Sequence, residues 1–352
     1  MTERIERLRA QLETLGVGTF LVTNPVNVRY LIGFESSNAA VLVGRERVLL
    51  ATDGRYLDAA RQVEDVEVVA VDRAVLSDLG ARLGELAEGP VAFESDTVTV
   101  AGFDELSANG TRLLPAAGVV LALRALKDER ELDAIRRAGR ITTAAYERLA
   151  RERLVGRTEA EVAWWLEQAL REEGADGLAF PAIVASGPNS ALPHHHPGHR
   201  EIEPGETVVV DAGACVEGYR ADCTRTFATG PLADELLEAY AVARSAQEAA
   251  LAALRPGITG SELDAVARSA IEESGIAPVL HGLGHGVGLD VHELPVLRPT
   301  STDTLVAGNV VTIEPGVYLT GTGGVRIEDL VIVGEEGPEV LTSFTKDLLT
   351  LG

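Results

Sequence analysis

Two strand pairs that carry carboxylates constrain the fold of this chain more than any other feature of its sequence. The first pair is residues 207–213 with residues 220–227, and residues 217–218, Glu-Gly, form a plausible two-residue turn between them. In the register that this turn sets, Asp211 and Asp222 are diagonal neighbours on one face of the pair. The β-branched run before Asp211 is typical of a buried strand, so the sequence predicts two buried carboxylates within side-chain reach.

A second pair, residues 310–314 with residues 325–332, flanks a glycine-rich turn. A three-residue loop in this turn places Glu314 directly opposite Glu328, with Arg326 on the same face. Facing carboxylates repel each other, and a buried carboxylate without compensation is costly. Solvent-exposed hairpin faces are the simpler explanation, but the apolar residues beside the carboxylates argue against it. The two hairpins therefore predict a site for cations.

All seven histidines fall in two short windows of the chain. His281, His285 and His292 lie in a glycine-rich stretch, and His194, His195, His196 and His199 lie in a loop rich in proline, glycine and asparagine. Imidazole binds metals and carries protons near neutral pH, and loops on a rigid scaffold often carry functional residues. A flexible loop is the alternative for the glycine-rich stretch, and a surface cluster is the alternative for His195, His196 and His199. A place in a functional site is favoured for the remaining four.

Four carboxylates with one or two imidazoles suit two divalent ions bridged by carboxylate oxygens. Ions about 3.5–4 Å apart hold a water or hydroxide between them and lower its pKa, which generates a nucleophile at neutral pH. Ligands dominated by oxygen favour Mn²⁺, Fe²⁺ or Co²⁺ over a zinc site built from thiolates. The remaining histidines and Arg326 are then available to orient a substrate and to stabilise a tetrahedral oxyanion.

Motifs of three other enzyme classes are incomplete in this chain. Residues 292–296, His-Glu-Leu-Pro-Val, lack the second histidine of a zincin. Residues 282–286 depart from the dinucleotide-binding pattern. No Gly-x-Ser-x-Gly elbow accompanies the histidines, which disfavours a serine hydrolase.

Composition excludes several classes of partner. The chain has 54 acidic against 31 basic residues, a net charge of −23, whereas nucleic acids and anionic membranes require basic patches. No apolar run reaches the roughly 20 residues of a membrane span, and the mixed charge of the first residues indicates no signal peptide. Two cysteines, Cys215 and Cys223, are too few for a disulfide framework, so a reduced, cytoplasmic setting is expected.

The length of 352 residues predicts two domains. An amphipathic helix over residues 4–15, several strands and a hairpin across residues 44–47 predict an α/β first domain that spans residues 1–122. Residues 24–25, Asn-Pro, are predicted to be a turn in this domain. The second domain is expected to span residues 123–352.

In its motifs the chain resembles the pita-bread metallopeptidases, which include methionine aminopeptidase, creatinase, proline dipeptidase and Xaa-Pro aminopeptidase. The resemblance runs from residues 24–31, Asn-Pro-Val-Asn-Val-Arg-Tyr-Leu, to residues 326–329, Arg-Ile-Glu-Asp. The motifs between them are Asp211-Ala212-Gly213 with Asp222, His281 through Glu293, Glu314-Pro315-Gly316, and Arg326-Ile327-Glu328. The resemblance implies a fold of mixed α/β and α+β class, in which a creatinase-like N-terminal α/β domain precedes a C-terminal pita-bread catalytic domain.

The resemblance also implies roles for individual residues. The implied ligands of two divalent ions are Asp211, Asp222, His285, Glu314 and Glu328, with Asp222 and Glu328 bridging. The implied catalytic and substrate-binding residues are His194, His281, His292 and Arg326. Mn²⁺ is the expected metal, with Co²⁺, Fe²⁺ and Zn²⁺ as alternatives.

One departure from the family pattern concerns the carboxylate of the substrate. Archaeal-type proline dipeptidases often have arginine after His-Glu-x-Pro, and this chain has Val296 at that position. Three arginines are candidates for the missing contact. Arg298 lies two residues farther on and shares a strand face with position 296, whereas Arg45 and Arg47 lie at a hairpin tip of the first domain.

The expected function is hydrolysis of the Xaa-Pro bond of dipeptides by a dinuclear metallopeptidase, through a metal-bridging hydroxide. The alternatives are an Xaa-Pro aminopeptidase that acts on longer peptides, creatinase-like amidine hydrolysis, and a non-catalytic binding homologue. The family hydrolyses amidines without metal, so a full set of metal ligands disfavours that reaction. The five retained ligands also disfavour a binding protein. A homodimer that takes a proline-containing di- or oligopeptide is implied by the resemblance.

Overall fold

A computed structural model of the protein describes residues 2–352. The chain forms two compact units, Met1–Arg124 and Ala125–Gly352. Each unit has its own sheets and its own buried apolar residues. Residues 2–352 include no helix that combines the length and the apolar character required to cross a membrane.

The first unit is built on one mixed sheet. Its elements are, in chain order, α1 (Thr2–Leu15), β1 (Thr19–Val22), α2 (Pro25–Ile32), β2 (Ala39–Gly44), β3 (Val48–Thr52), α3 (Leu57–Ala60), β4 (Glu67–Ala70), α4 (Val75–Leu86), β5 (Val91–Glu94), α5 (Val100–Ser107), β6 (Leu113–Ala116) and α6 (Val119–Ala125). The strand order is β4-β3-β2-β1-β5-β6. β2 and β3 are antiparallel, which confirms the predicted hairpin across residues 44–47, and β5 and β6 continue the sheet in parallel with β1.

The prediction for residues 24–25 is wrong. Pro25 is the first residue of α2, and the side chain of Asn24 accepts hydrogen bonds from the backbone N–H groups of Val26 and Asn27. Asparagine satisfies N–H groups that a helix start leaves without partners, and proline at the first position has no N–H to satisfy. The Asn-Pro pair therefore begins a helix here instead of reversing the chain.

The second unit combines helices with several small sheets. Its elements are α7 (Glu129–Leu149), α8 (Glu159–Glu172), β7 (Gly177–Leu178), β8 (Ile183–Ser186), a 3-10 helix (Gly187–Ala191), β9 (Thr207–Asp211), β10 (Ala214–Val216), β11 (Tyr219–Arg220), β12 (Thr224–Ala228), α9 (Asp234–Ala253), α10 (Gly260–Ser274), β13 (Gly284–Gly286), β14 (Glu293–Leu297), β15 (Val310–Ile313), β16 (Gly316–Leu319), β17 (Gly323–Arg326), β18 (Asp329–Val333) and β19 (Pro338–Val340). Its sheets have the strand orders β11-β10-β7, β12-β9-β8 and β14-β13-β15-β18-β19, with β16 and β17 as a separate ribbon.

The first carboxylate-bearing hairpin has the predicted register. Glu217 and Gly218 both have positive φ, 50° and 78°, as a two-residue turn that matches the strand twist requires. The strands pair as that turn dictates, and Asp211 faces Thr224. Each strand is nevertheless divided, into β9 and β10 on one side and β11 and β12 on the other, and the halves belong to different sheets.

The second carboxylate-bearing hairpin also has the predicted register. Its loop between β16 and β17 has the predicted three residues, and Ile313 faces Asp329 beyond it. Glu314 and Glu328 adjoin this last pair, so they face each other across a gap in the ladder. Here again the strands are divided, into β15 and β16 and into β17 and β18.

Two apolar clusters support the hairpins. One packs α7 and α8 against the strands of the first hairpin, and the other packs α9 and α10 against those of the second. In the first cluster the hydroxyl of Tyr146 lies 3.0 Å from the carbonyl oxygen of Val210 and 2.6 Å from that of Cys223. This buried contact ties α7 to both strands of the hairpin next to the two aspartates.

Candidate metal centre

The four predicted carboxylates lie where the strands divide. Asp211 is the last residue of β9 and Asp222 lies between β11 and β12, whereas Glu314 follows β15 and Glu328 precedes β18. At such a break a backbone N–H is released from its own ladder and needs another acceptor. The N–H of Glu328 donates to the carbonyl of Thr224, at 3.1 Å, and thereby joins the two hairpins.

His285 lies beside these carboxylates, on β13. Its Nε2 is 3.2 Å from Oε1 of Glu314 and 3.7 Å from Oδ2 of Asp222. Its Nδ1 is 3.1 Å from the carbonyl oxygen of Gly286, which can only accept, so Nδ1 carries the hydrogen. In the neutral imidazole the lone pair of Nε2 would therefore point towards the carboxylates, where a metal ion can bind it. When Nε2 is protonated, it donates to Glu314 instead.

All the predicted ligands meet at one cavity of about 340 Å³. It is lined by Asp211, Asp222, His285, Glu314 and Glu328, and also by His194, His281, His292, Arg298 and Arg326. Asp222, His285 and Glu328 each offer one ligand atom, and these three atoms lie within 4.8 Å of one another. The structure thus brings together the five predicted ligands from five separate strands and loops.

Two buried carboxylate oxygens fit a cation. Oδ1 of Asp211 and Oε1 of Glu328 have no hydrogen-bond partner within residues 2–352. The other oxygen of each group is occupied, since Oδ2 of Asp211 accepts from Arg326 and Oε2 of Glu328 accepts from Thr224, both at 2.7 Å. A buried acceptor without a donor costs about 1–3 kcal/mol. A divalent ion coordinated by the two free oxygens would remove that cost.

The pKa values of the carboxyl groups at the site also favour a bound cation. Burial raises the pKa of Asp222 and of Glu328 well above the ordinary carboxyl range, and the charges of neighbouring carboxylates raise both further. Burial also raises the pKa of Asp211, although the charge of Arg326 opposes the shift. Burial and mutual repulsion therefore disfavour the ionised forms of these groups without a cation, and oxygen ligands of this kind suit hard divalent cations.

Glu314 and His285 form the exception. Burial would raise the pKa of Glu314, but the hydrogen bond and charge of His285 outweigh it and lower that pKa to about 2. Burial would lower the pKa of His285, and the same contact with Glu314 raises it. A metal ligand must be the neutral imidazole, so a metal ion and a proton compete for Nε2 of His285.

Arg326 is buried beside the ligands and all three of its nitrogens donate within the protein. Besides its bond to Asp211, it donates to Oγ1 of Thr224 at 3.0 Å, to the hydroxyl of Tyr318 at 3.2 Å and to the carbonyl of Pro193 at 3.2 Å. These bonds fix the orientation of Asp211. The predicted contact of Arg326 with substrate stays a prediction.

The three predicted catalytic histidines line the same cavity from different sides. Nε2 of His281 is 2.9 Å from the hydroxyl of Tyr318. The ring of His292 lies 4.3 Å from that of His285, and burial together with the charge of His285 lowers the pKa of His292. His194 is an exposed residue of the loop that follows the 3-10 helix.

Tyr318 and Thr224 are polar residues of the site that the sequence reasoning missed. Thr224 could have been found, because the predicted register places it opposite Asp211. For Tyr318 the sequence offers only a weaker indication, the glycine at position 316. A Cβ on Gly316 would lie 2.3 Å from the Tyr318 hydroxyl, so the glycine makes room for that group.

The three arginines proposed for the substrate carboxylate have different surroundings. Arg298 is exposed, follows β14 directly, and lines the cavity together with Val296 and Leu297. Arg45 and Arg47 belong to the turn between β2 and β3 in the first unit. The guanidinium of Arg47 is paired with Glu67 through hydrogen bonds of 2.9 and 2.7 Å. Arg298 thus lines the cavity, and a substrate contact for any of the three stays a prediction.

The chain matches two protein families along most of its length. Residues 133–335 match metallopeptidase family M24, and residues 4–126 match the creatinase/prolidase N-terminal domain. An Xaa-Pro dipeptidase of Pyrococcus furiosus is 34% identical over 99% of this chain and 100% of its own length.

Solved structures resemble this one over both units. An Xaa-Pro dipeptidase from Bacillus anthracis has a TM-score of 0.94 and 37% identity, covering 99% of each chain. An X-Pro aminopeptidase from Thermotoga maritima has a TM-score of 0.90 and 36% identity, covering 98% of this chain and 99% of that chain. The two neighbours are almost equally similar to this chain.

Proposed function

Because the chain belongs to metallopeptidase family M24 and carries a creatinase/prolidase N-terminal domain, we propose that it is a dinuclear metallopeptidase that hydrolyses the Xaa-Pro bond of dipeptides. The matches to these two family models confirm the family and the fold class that were predicted from the sequence. The Xaa-Pro dipeptidases of Pyrococcus furiosus and Bacillus anthracis, which are similar over 99% of this chain, support the substrate class.

The observation that carries the proposal is the pair of buried carboxylate oxygens without partners, at a cavity lined by four carboxylates and His285. We assign Asp211, Asp222, His285, Glu314 and Glu328 as ligands of two divalent ions, with Asp222 and Glu328 bridging. Such ions, when bound, lower the pKa of water and polarise the carbonyl of the scissile bond. In an exposed acidic cluster, water would satisfy such oxygens, and no cation would be required.

The residues around the ligands would then orient the substrate. Arg326 holds Asp211 in place, and the Tyr318 hydroxyl connects Arg326 to His281. His194, His281 and His292 can donate to or accept from the peptide at the cavity wall. Phe180, Ile183 and Val291 line the same cavity and offer an apolar surface to a proline ring. A cavity of about 340 Å³ is large enough for a dipeptide.

An Xaa-Pro aminopeptidase is the second candidate, and the similarity to the Thermotoga maritima enzyme favours it. The two activities differ in whether a free carboxylate follows proline. Arg298 is a cation at the cavity that could bind this carboxylate, and its exposure weakens the preference that it can impose.

We further propose Mn²⁺ as the physiological ion, with Co²⁺, Fe²⁺ or Zn²⁺ as alternatives, because oxygen atoms dominate the ligand set. The two free cysteines, Cys215 and Cys223, agree with a reducing, cytoplasmic setting. A homodimer is proposed from the resemblance alone. Metal analysis of protein purified without added metal, cell fractionation and light scattering test these three proposals.

The deciding experiment is hydrolysis of Ala-Pro and Ala-Pro-Ala by the full chain with Mn²⁺ added. Faster cleavage of Ala-Pro supports a dipeptidase, and faster cleavage of Ala-Pro-Ala supports the aminopeptidase. Cleavage of neither peptide, by protein that elemental analysis shows to hold two ions per chain, would contradict both.

A further inference from the structure

The loop of residues 186–198 carries His194 and forms one wall of the cavity. On one side it is attached to the second hairpin. The carbonyl of Pro193 accepts from Arg326 at 3.2 Å, and Oγ of Ser190 accepts from the N–H of Gly324 at 2.7 Å. Apart from the 3-10 helix, the loop has little regular structure, so its other side must be held by hydrogen bonds from side chains.

Glu159, the first residue of α8, supplies that attachment. Its side chain is 0% exposed, and both of its carboxylate oxygens accept hydrogen bonds from this loop. Oε1 accepts from the N–H of Ser186 at 2.8 Å, from the hydroxyl of Ser186 at 2.8 Å and from the amide of Asn189 at 3.0 Å; Oε2 accepts from Nε2 of His195 at 2.7 Å and from the N–H of Gly198 at 3.2 Å. One carboxylate thus binds the loop at both ends and in the middle.

Helix capping does not explain this carboxylate. Thr158 and Glu161 already form a capping box at the start of α8, with Thr158 accepting from the Glu161 N–H and Glu161 accepting from the Thr158 N–H. A buried carboxylate is costly unless its oxygens are satisfied by donors. Burial would raise the pKa of Glu159, but the hydrogen bonds of Asn189, His195 and Ser186 lower it, so the group stays ionised.

We propose that Glu159 and His195 are positioning residues that hold the loop of residues 186–198 in place and so fix His194 at the cavity wall. Because an acceptor-only carboxylate faces it, Nε2 of His195 carries the hydrogen. This inference rests on the proposed function, in which His194 binds the substrate. Loosening the loop should weaken substrate binding without removing any metal ligand.

His195→Ala is the first test, because it removes one donor from a partly exposed position and leaves Glu159 in place. His195→Gln is its conservative partner, since the glutamine amide can still donate to Oε2 of Glu159. Glu159→Gln removes the charge and leaves a donor facing the N–H of Gly198. His196→Ala, at an exposed position of the same loop, and His199→Ala, at an exposed position directly after it, are matched controls.

His195→Ala and Glu159→Gln are expected to raise KM for Ala-Pro about fivefold or more, with kcat and metal content near those of the wild type. His195→Gln should have a KM much closer to that of the wild type, and both controls should behave as wild type. Amide hydrogen exchange should become faster over residues 186–198, with the N–H groups of Ser186 and Gly198 affected first.

Unchanged KM with faster exchange would overturn the proposal, because the loop would then be loosened without effect on binding. A raised KM accompanied by loss of bound metal would also overturn it, since Glu159 would then support the metal centre instead. If the wild type cleaves no Xaa-Pro peptide, the proposed function fails. In that case unchanged exchange in His195→Ala overturns the anchoring by Glu159, and faster exchange supports it.

Discussion

Replacing Glu328 by glutamine is expected to stabilise the metal-free protein. Glu328 is 1% exposed, and its Oε1 has no hydrogen-bond partner within residues 2–352. A ligand atom of Asp222, a second buried carboxyl group, lies within 4.8 Å. Glutamine can keep an oxygen for the hydroxyl of Thr224 and present an N–H donor to the carboxylates. The substitution therefore replaces repulsion by a hydrogen bond.

The size of the effect follows from these contacts. A buried acceptor without a donor costs about 1–3 kcal/mol, and Glu328→Gln removes one such acceptor. For a domain of 150–250 residues, 1 kcal/mol moves Tm by about 2–4 °C, so the expected gain is about 2–12 °C.

The gain should also depend on pH. Burial and neighbouring carboxylates hold the pKa of Glu328 well above its ordinary value. A group whose pKa is raised by folding binds more protons in the folded state, so metal-free wild type loses stability as pH rises through the interval between the two pKa values. Glutamine does not titrate, so the stability of the variant relative to the metal-free wild type should be greater at about pH 7.5 than at about pH 5.

Thermal unfolding followed by circular dichroism, first with a chelator and then with Mn²⁺, measures both effects. Mn²⁺ should raise the Tm of the wild type and have little effect on Glu328→Gln, because the variant lacks one of the carboxylates proposed to bridge the ions. Glu336→Gln is a matched control at an exposed position. A metal-free Glu328→Gln protein that melts at or below the wild-type Tm near pH 7.5 would refute the reasoning.

Three further predictions concern the same cavity. Alanine at His194, His281 or His292 should lower turnover and leave metal content, measured by elemental analysis, near wild type; loss of metal in all three would show that these roles are wrong. Arg298→Met should raise the rate on Ala-Pro-Ala relative to Ala-Pro by about 1.5- to fivefold, since an exposed ion pair is worth about 0.2–1 kcal/mol, and an unchanged ratio excludes Arg298 as the carboxylate contact. Mn²⁺ affinity, measured by calorimetry, should fall as pH drops through the raised pKa of His285, because the metal needs the neutral imidazole; a pH-independent affinity would contradict this.

The metal centre is thus expected to be a region where stability is given up for function. Asp211, Asp222 and Glu328 all have raised pKa values, and Tyr146 and Arg326 hold the backbone and side chains around them in place. These contacts keep the carboxyl groups close together at a cost in stability, as a functional site can require. The same rigidity would keep the proposed ligands arranged for metal binding.

The sequence by itself determined the two hairpins and their register. A Glu-Gly turn permits positive φ at both central positions, and a strand has a side-chain period of two, so these local rules place Asp211 and Asp222 on one face. The same reasoning placed Glu314 opposite Glu328. Family motifs then identified the metallopeptidase. The start of α2 was mispredicted because Asn-Pro suits both a turn and a helix start, and only the following residues decide between them.

The tertiary structure decided what these local rules do not address. It divided the predicted strands at the carboxylates, and it brought the two hairpins together through the Glu328 N–H and the Thr224 carbonyl. It also placed Tyr318 beside Arg326 and Glu159 behind the His194 loop. Each of these contacts depends on how separate elements pack, whereas turn type and strand period act between near neighbours. The physical reason is that a buried polar group takes whichever partner the packing brings within reach, and that partner leaves no periodic signal in the sequence.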